Sequence, residues 1–218
     1  MVCEFRVWIG DLSKEFLCQS TATIWALHSG TAGLNTKDAR TFIFSSGPPS
    51  KPSLSVSFTA GFESGDLRRI QWVRTVSNAN GSWYSSYKYK QPLGTASSQE
   101  YTILFRLAEQ YLIRAEANAH LSHVSDAKAD LNKIRRRAGL TDTAADTQTE
   151  LLDAIAKERR FELFTEQGHR WLDLKRTVKA AAVLSPIKKG WKDTQMILPL
   201  PQSELLLNQN LLPQNPGY

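Results

Sequence analysis

Apolar residues recur at helical spacing mainly in the second half of the chain. Residues 103–121 predict one amphipathic helix, whose apolar face carries Leu104, Leu107, Ala108, Tyr111, Ala115 and Ala119. Ser125 and Asp126 are capping residues for a second helix over residues 126–139, which Gly139 ends. Because small alanine side chains allow two helices to approach closely, the pattern predicts a helical hairpin, similar to one unit of a helical-repeat protein.

A third helix is predicted to follow, capped by Thr147 or Thr149. If this helix continues, Leu151 and Ile155 begin a buried stripe whose next positions are Glu158, Arg159, Glu162 and Glu166. Charged side chains are seldom buried unless they are paired, so the stripe is a solvated surface, an internal ion network or a site. We favour the ion network, in which Glu162 lies within salt-bridge distance of an arginine. The expected arginines are Arg159 and Arg170, each of which can offer a planar fork to Glu162, Glu166 or Asp173.

The first part of the chain has a different composition, with many Ser, Thr, Gly and Asn residues and short apolar pieces. The composition changes at the run of small and polar residues 94–99. We therefore expect a loop-rich region over residues 1–100, and a helical region with a Pro- and Asn-rich tail over residues 101–218. The predicted fold is mainly α, with irregular loops and one small β-hairpin.

That hairpin is predicted near residues 71–90. The segments QWVRTV and SWYSSYKY flank Asn80–Gly81, a dipeptide typical of tight turns between strands. Alternation along the second strand places Trp83 and Tyr87 on one face and Tyr84 on the other.

Composition and charge narrow the classes of protein only moderately. The chain has 218 residues, 41% of them hydrophobic, which predicts a globular protein. A net charge of +6 favours acidic partners but does not by itself indicate nucleic acid. Cys3 and Cys18 are too few for a disulfide scaffold. No apolar run approaches the roughly 20 residues needed to cross a bilayer, and no signal-peptide pattern precedes Cys3.

The carboxylates of the third helix raise the question of catalysis or metal binding. Glu162 and Glu166 lie one turn apart on one predicted helix, whereas glycosidases hold their two carboxylates on opposite sides of a sugar. Glu166 and His169 have the Glu-x-x-His spacing of di-iron sites, but no second copy of that motif occurs. The sequence therefore predicts a protein that is not an enzyme and has no metal site and no cofactor.

Several segments carry a family resemblance. They lie at residues 105–109, 112–117, 131–135, 137–140, 158–163, 170–176, 198–201 and 214–218. In this order they resemble the closing region of the SusD/RagB family, and the likeness is weaker before residue 101. The resemblance implies an α-helical, TPR-containing lipoprotein on the outer face of a Bacteroidota-type outer membrane. Such a protein captures glycans or other nutrients and covers a TonB-dependent SusC-like transporter.

The resemblance also implies what the full-length family members contain. They carry a signal peptide, a lipidated cysteine and a long N-terminal half, none of which is found in this sequence. We therefore expect the chain to be a C-terminal portion, with no lipid anchor at Cys3.

Glycan binding by such proteins relies on aromatic rings that lie against sugar faces, with polar side chains beside them. The candidate residues are Trp72, Trp83, Tyr84, Tyr87 and Asn80. The alternative is that these rings form a hydrophobic hairpin face packed on the helices. A competing function is that of a TPR-like adaptor for protein segments. A long apolar groove along residues 101–138 would favour the adaptor, and a polar-rimmed aromatic pocket near residues 72–87 would favour glycan binding.

Overall fold

The structure is a computed structural model that describes residues 7–218, so Cys3 lies outside the described residues. The chain divides into two compact units, Met1–Gln167 and Gly168–Tyr218. In the described part of the first unit the strands are β1 (Thr23–Leu27), β2 (Val73–Asn78), β3 (Gly81–Ser86) and β4 (Thr102–Arg106). Its helices are α1 (Lys37–Phe42), α2 (Val56–Thr59), α3 (Leu67–Gln71), α4 (Leu107–His120), α5 (Val124–Arg137) and α6 (Gln148–Glu162).

The second unit is built from short helices joined by irregular segments. Its α-helices are α7 (His169–Arg176), α8 (Ala180–Leu184) and α9 (Gln202–Leu207), and its 3₁₀ turns are Asp193–Met196 and Gln209–Leu211. Among residues 7–218, no helix is long and apolar enough to span a membrane. The mainly helical fold predicted from the sequence is confirmed, whereas the predicted boundary near residue 100 stays a prediction.

Helices α4, α5 and α6 pack together through one hydrophobic cluster. Four alanines, Ala108, Ala115, Ala119 and Ala127, are fully buried in it beside larger residues such as Leu112 and Leu131. Small side chains at these positions let the helices approach closely, which confirms the predicted helical hairpin of α4 and α5. Gly139, with φ +76°, follows the end of α5, where Leu140 N donates to Arg135 O.

One predicted helix boundary is wrong. The first helix of the hairpin begins at Leu107 rather than near residue 103, because residues 102–106 form β4 and pair antiparallel with β1. Ile103 and Phe105 belong to the β-branched and aromatic residue types that fit a pleated strand. Strand pairing with a segment some eighty residues earlier therefore overrides the helical spacing.

Helix α6 begins as predicted and ends early. The Thr147 side chain accepts from Glu150 N, and the Glu150 carboxylate accepts from Thr147 N, so the two residues form a capping box. The helix ends at Glu162, and a turn over residues 163–168 follows, with positive φ at Thr165, Gln167 and Gly168. The charged stripe is nevertheless buried from Glu158 to Glu166.

The predicted hairpin is confirmed and consists of β2 and β3. Val76 pairs with Trp83, Thr75 with Tyr84, and Asn78 with Gly81 at the tip. The two central turn residues are thus Ala79 and Asn80, one position earlier than the Asn80–Gly81 dipeptide indicated. Asn78 Oδ1 accepts a hydrogen bond from Asn80 N at 2.7 Å, and this side-chain contact stabilises the turn.

Candidate functional site

The half-buried Trp83 ring lies on the loop that precedes α2. A Cβ atom added at Gly47 would lie 2.0 Å from Trp83 Cε3, so the backbone of the loop is in close contact with the indole. Asn78 Nδ2 donates to Gly47 O at 2.5 Å and holds the same loop against the hairpin tip. The loop supports Trp83 and leaves the ring partly open to solvent.

Tyr84 lies on the opposite face of the hairpin, as the alternation predicts. Its backbone carbonyl accepts hydrogen bonds from Leu54 N and Ser53 Oγ, which add a third chain segment to the edge of β3. The Arg69 guanidinium lies 5.3 Å from the Tyr84 ring centroid and donates to Thr75 Oγ1 at 3.3 Å. The half-buried tyrosine ring thus has a cationic neighbour.

Tyr87 follows the end of β3 and has two cationic neighbours. Arg74 Cζ lies 5.8 Å from its ring centroid, and Lys90 Nζ lies 5.5 Å from it. Arg74 and Trp83 share one face of the hairpin, because Arg74 pairs with Ser85 and Val76 pairs with Trp83. The alternation of β3 extends this face to Tyr87.

The remaining two predicted residues have contrasting positions. Trp72 is 0% exposed, packs edge to face on Phe16, and donates its indole N–H to Leu12 O at 3.1 Å. A ring with no exposed face cannot stack on a sugar, so Trp72 is a core residue and its prediction as a ligand contact is not supported by its position. Asn80 is exposed at the hairpin turn.

The charged stripe of α6 is part of a buried ion cluster, which is the internal ion network expected from the sequence. Its five basic and five acidic members are Arg68, Lys88, Arg106, Arg135 and Arg137 together with Glu15, Asp66, Glu158, Glu162 and Glu166. Glu15 lies in the N-terminal segment, Asp66 and Arg68 lie at the start of α3, and Lys88 follows the end of β3. Arg106 ends β4, and Arg135 and Arg137 lie in the last turn of α5. Glu158 and Glu162 lie on α6, and Glu166 lies in the turn that follows it. The equal numbers of the two charges make burial tolerable, because each charged side chain has partners of opposite sign.

Glu162 lies at the centre of the ion cluster and is 0% exposed. Its carboxylate accepts hydrogen bonds from Arg106, Arg137 and Arg68, the last at 3.2 Å. Burial acts to raise the pKa of the Glu162 carboxyl, but the nearby arginines outweigh it and hold that pKa well below its usual range. The prediction that Glu162 lies within salt-bridge distance of an arginine is confirmed.

Glu166 links the ion cluster to Lys88. Arg106 Nε donates to Glu166 Oε2 at 2.8 Å, and Lys88 donates to Glu166 Oε1 and to the backbone carbonyl of Glu162. The Lys88 ammonium also lies 4.1 Å from the Phe164 ring centroid. Burial lowers the pKa of Lys88 to about 8, although the Glu166 carboxylate acts to raise it.

This arrangement does not suit acid–base chemistry on a sugar. A glycosidase that used Glu162 and Glu166 would need both carboxylates in an open cleft, and a general acid needs a raised pKa. Glu162 is sealed from solvent, and the pKa values of both carboxyls are lowered by their cationic partners despite burial. The cavity beside Glu166 has a volume of about 10 Å³, which leaves room for no more than about one water molecule and none for a sugar ring.

The sequence indicated three of the five carboxylates of the ion cluster, Glu158, Glu162 and Glu166, but not Glu15, Asp66 or the arginines that bind Glu162. Arg106 and Arg137 lie in the segments that carry the family resemblance, and Arg68 lies before residue 101, where the likeness is weaker. In the sequence each of these arginines is a basic residue beside an apolar run, and that pattern by itself does not show which carboxylate the arginine will bind. Among residues 7–218, no group of three or more His, Cys, Asp and Glu side chains has the arrangement of a metal site.

A second concave feature lies where the chain leaves the hairpin region. This cavity has a volume of about 130 Å³ and is lined by Leu34, Asn35, Thr36, Arg40, Gln91, Pro92, Leu93 and Gly94. Asn35 Nδ2 donates to Leu93 O at 3.0 Å, and Asn35 Oδ1 accepts from Gln99 N, so the amide connects two walls of the cavity.

Comparison with known proteins gives a consistent result. The model of the SusD family matches residues 72–218. SusD-like protein P2 of Formosa agariphila is 37% identical over 139 residues, which cover 57% of this chain and 27% of the relative. The starch-binding protein SusD of Bacteroides thetaiotaomicron is 28% identical over 194 residues, which cover 83% of this chain and 31% of the relative. The chain therefore spans less than a third of the length of these two relatives.

Solved structures agree in fold. A SusD superfamily protein from Parabacteroides distasonis has a TM-score of 0.79 at 21% identity, with 99% of this chain and 54% of that chain covered. Surface glycan-binding protein A from Bacteroides thetaiotaomicron, in complex with laminarihexaose, has a TM-score of 0.73 at 22% identity, with 97% and 56% covered. Since the family match extends over residues 72–218 and the fold agrees with solved superfamily members, this chain belongs to the SusD family.

Proposed function

We propose that this chain binds glycans or related nutrients without altering them chemically. Family membership supports the proposal, because one relative is named as a starch-binding protein and one structural neighbour holds laminarihexaose. In the proposed role, the protein captures its ligand at the extracellular face of the bacterial outer membrane. It then delivers the ligand to a TonB-dependent SusC-like transporter, a partner that we infer from the family alone.

The observation that carries the proposal is the set of half-buried aromatic rings on the hairpin. Trp83, Tyr84 and Tyr87 each keep part of the side chain open to solvent, and exposed Asn80 lies at the adjoining turn. Sugars present apolar C–H faces and polar edges, so aromatic rings with neighbouring hydrogen-bonding groups are the usual means of binding them. We propose that the half-buried rings of Trp83 and Tyr87 make the main contacts, on either side of buried Ser85, whose hydroxyl donates to Phe42 O, with Tyr84 and Asn80 beside them.

The position of the acidic residues supports a role without catalysis. The carboxylates that could serve as an acid and a base, Glu162 and Glu166, are engaged with arginine and lysine in the ion cluster. Their lowered pKa values make them poor proton donors near neutral pH.

The adaptor alternative has less support. Binding of a protein segment would need a continuous apolar groove along α4 and α5. The facing sides of these helices are instead filled by each other, with Ala115 and Leu131 fully buried. Outside this interface, the large apolar side chains exposed on α4 and at its C-terminal end are Ile113 and Leu121, with the small Ala117 between them on the same face, and they offer too little apolar surface for a groove.

A binding screen tests the proposed function. The purified chain would be run by affinity gel electrophoresis against a panel of soluble polysaccharides, together with Trp83→Ala, Tyr84→Ala and Trp25→Ala. Trp25 is the matched control, because it is 54% exposed on β1 and lies outside the hairpin. We expect one glycan to retard the wild type and Trp25→Ala but not Trp83→Ala. Absence of retardation by every glycan, for a protein that circular dichroism shows to be folded, would contradict the proposal.

A further inference from the structure

The positive charge of the chain is concentrated around the hairpin. Residues 39–99 contain seven basic side chains and only two acidic ones, a net charge of +5, whereas the whole chain has +6. The basic residues are Arg40, Lys51, Arg68, Arg69, Arg74, Lys88 and Lys90. Between residues 67 and 99 there is no Asp or Glu at all. The rest of the chain is therefore close to neutral.

Internal pairing accounts for only two of these basic residues. Arg68 and Lys88 belong to the ion cluster. The two acidic residues of the segment are also engaged, since Asp66 pairs with Arg68 and Glu63 pairs with Arg135 and Lys157. Five cations remain, and within residues 7–218 none of them forms an ion pair: Arg40, Lys51, Arg69, Arg74 and Lys90.

The two carboxylates that flank the segment do not neutralise it. Asp38 is half-buried and accepts from Thr102 Oγ1 at 3.4 Å. Glu100 is buried and accepts from the backbone N–H groups of Lys90 and Gln91, although its charge is close enough to Lys90 to interact with it. Some exposed cations elsewhere do have acidic partners, as in the pairs Arg114 with Asp130 and Arg136 with Asp142.

Three of the unpaired cations lie against the tyrosines of the proposed glycan site. Arg74 and Lys90 lie 5.8 and 5.5 Å from the Tyr87 ring centroid, and Arg69 lies 5.3 Å from that of Tyr84. Contact with a ring restricts a long basic side chain, so less conformational entropy is lost when it binds a ligand. A guanidinium held in this way offers a planar pair of N–H donors, which fits a carboxylate or a sulfate.

We propose that the ligand of this site is an acidic glycan, whose carboxylate or sulfate groups bind Arg74 and Lys90 beside Tyr87. This inference rests on the proposed function and specifies its substrate class. Trp83 lies on the same face as Arg74, so one sugar unit contacts the indole while a neighbouring unit places its anionic group between Arg74 and Lys90. Arg69 beside Tyr84 adds positive potential from the other side of the hairpin.

Two pairs of polysaccharides test the proposal, each with the same backbone and linkages in both members. The first pair is polygalacturonate and its carboxyl-reduced product, and the second is a sulfated galactan and its desulfated product. Isothermal titration calorimetry with the wild-type chain is expected to give a Kd at least about tenfold lower for the acidic member of one pair than for its neutral member. One or two charge-assisted hydrogen bonds are enough to produce this difference in affinity. The responding pair distinguishes a carboxylate from a sulfate.

A charge-matched pair of variants tests the residues. Arg74→Gln with Lys90→Gln is expected to bind the acidic and neutral members equally. Arg136→Gln with Lys128→Gln removes the same charge from α5 and is expected to keep the wild-type preference. The preference is also expected to weaken as salt rises, since charges at a solvated surface are screened over about 10 Å at 0.1 M.

The outcomes separate this inference from the proposed function. Equal binding of the acidic and neutral members by the wild type would overturn the acidic specificity and leave glycan binding intact. Binding of neither member of either pair, by a folded chain that another glycan retards in the gel screen, would overturn the acidic specificity alone, whereas absence of binding to every glycan of the screen would overturn both. Competition by duplex DNA as strong as that by the acidic glycan would show a general affinity for polyanions and would also overturn the proposal. If the α5 control variant lost the preference for the acidic glycan, the preference would depend on the net charge of the chain, and the assignment of Arg74 and Lys90 to the site would be wrong.

Discussion

Replacement of Glu162 by glutamine tests whether the buried ion cluster holds the first unit together. Glutamine keeps the size of the side chain and removes its charge, so the five arginines and lysines of the ion cluster face four carboxylates. Arg106, Arg137 and Arg68 each lose a charged partner in a site without solvent. Removal of one partner from a buried ion pair typically costs about 3 to 5 kcal/mol. This is a large share of the roughly 5 to 15 kcal/mol that stabilises a folded domain.

Chemical and thermal unfolding measure this loss. We expect the free energy of unfolding of Glu162→Gln to fall by about 3 to 5 kcal/mol near neutral pH, with a midpoint lower by roughly 6 to 20 °C. Asp142→Asn is the matched control, because it removes the same charge from the exposed pair with Arg136 and is expected to leave the midpoint almost unchanged.

The dependence on pH gives an independent check. The folded-state pKa of Glu162 lies below its ordinary 4.5, so its stabilising contribution is present above that pH and is lost as the pH falls below it. The difference in unfolding free energy between wild type and Glu162→Gln should therefore narrow in acid. A shift no larger than that of Asp142→Asn, or a difference that stays constant down to about pH 3, would refute the reasoning.

Two further substitutions test local features of the fold. Gly47→Ala should lower the free energy of unfolding by about 1 to 3 kcal/mol and change the fluorescence of Trp83, since the added methyl group collides with the ring. Gly10→Ala, which meets no atom within 4 Å, should do neither, and equal effects of the two would contradict the contact. Thr147→Ala should cost about 1 kcal/mol by loss of the capping box of α6, as measured by urea unfolding. Thr149→Ala, one residue inside the helix, should cost clearly less, and the reverse order would show that the cap is misplaced.

Local patterns predicted most of the helical part of the chain correctly. The alanines of α4 and the Thr147 cap act between residues only a few positions apart, and such interactions can be recognised in a sequence. The hairpin of β2 and β3 was recognisable for the same reason. Its turn was predicted one residue late, because the Asn78 side chain rather than Gly81 stabilises the turn.

Contacts between distant segments account for the differences from the sequence-based predictions. Residues 102–106 have helical spacing, yet they form a strand because β1 supplies backbone partners. Trp72 and Trp83 were equivalent candidates in the sequence, but Trp72 is enclosed by residues such as Phe16, while Trp83 lies at the exposed end of the hairpin. Exposure depends on what packs against a residue, and a periodic pattern does not contain that information.

The sequence by itself determined that a charged stripe continues the buried face of α6, because the helical period alone places Glu158 and Glu162 in line with Ile155. Only the tertiary structure decided what that stripe does. The partners of Glu162 include Arg68, 94 residues earlier in the chain, and Arg106, 56 residues earlier. Charge pairing over such separations is set by the packing of β4, α3 and α5 around α6. Within residues 7–218, the same packing leaves the cations beside Tyr84 and Tyr87 without a salt bridge.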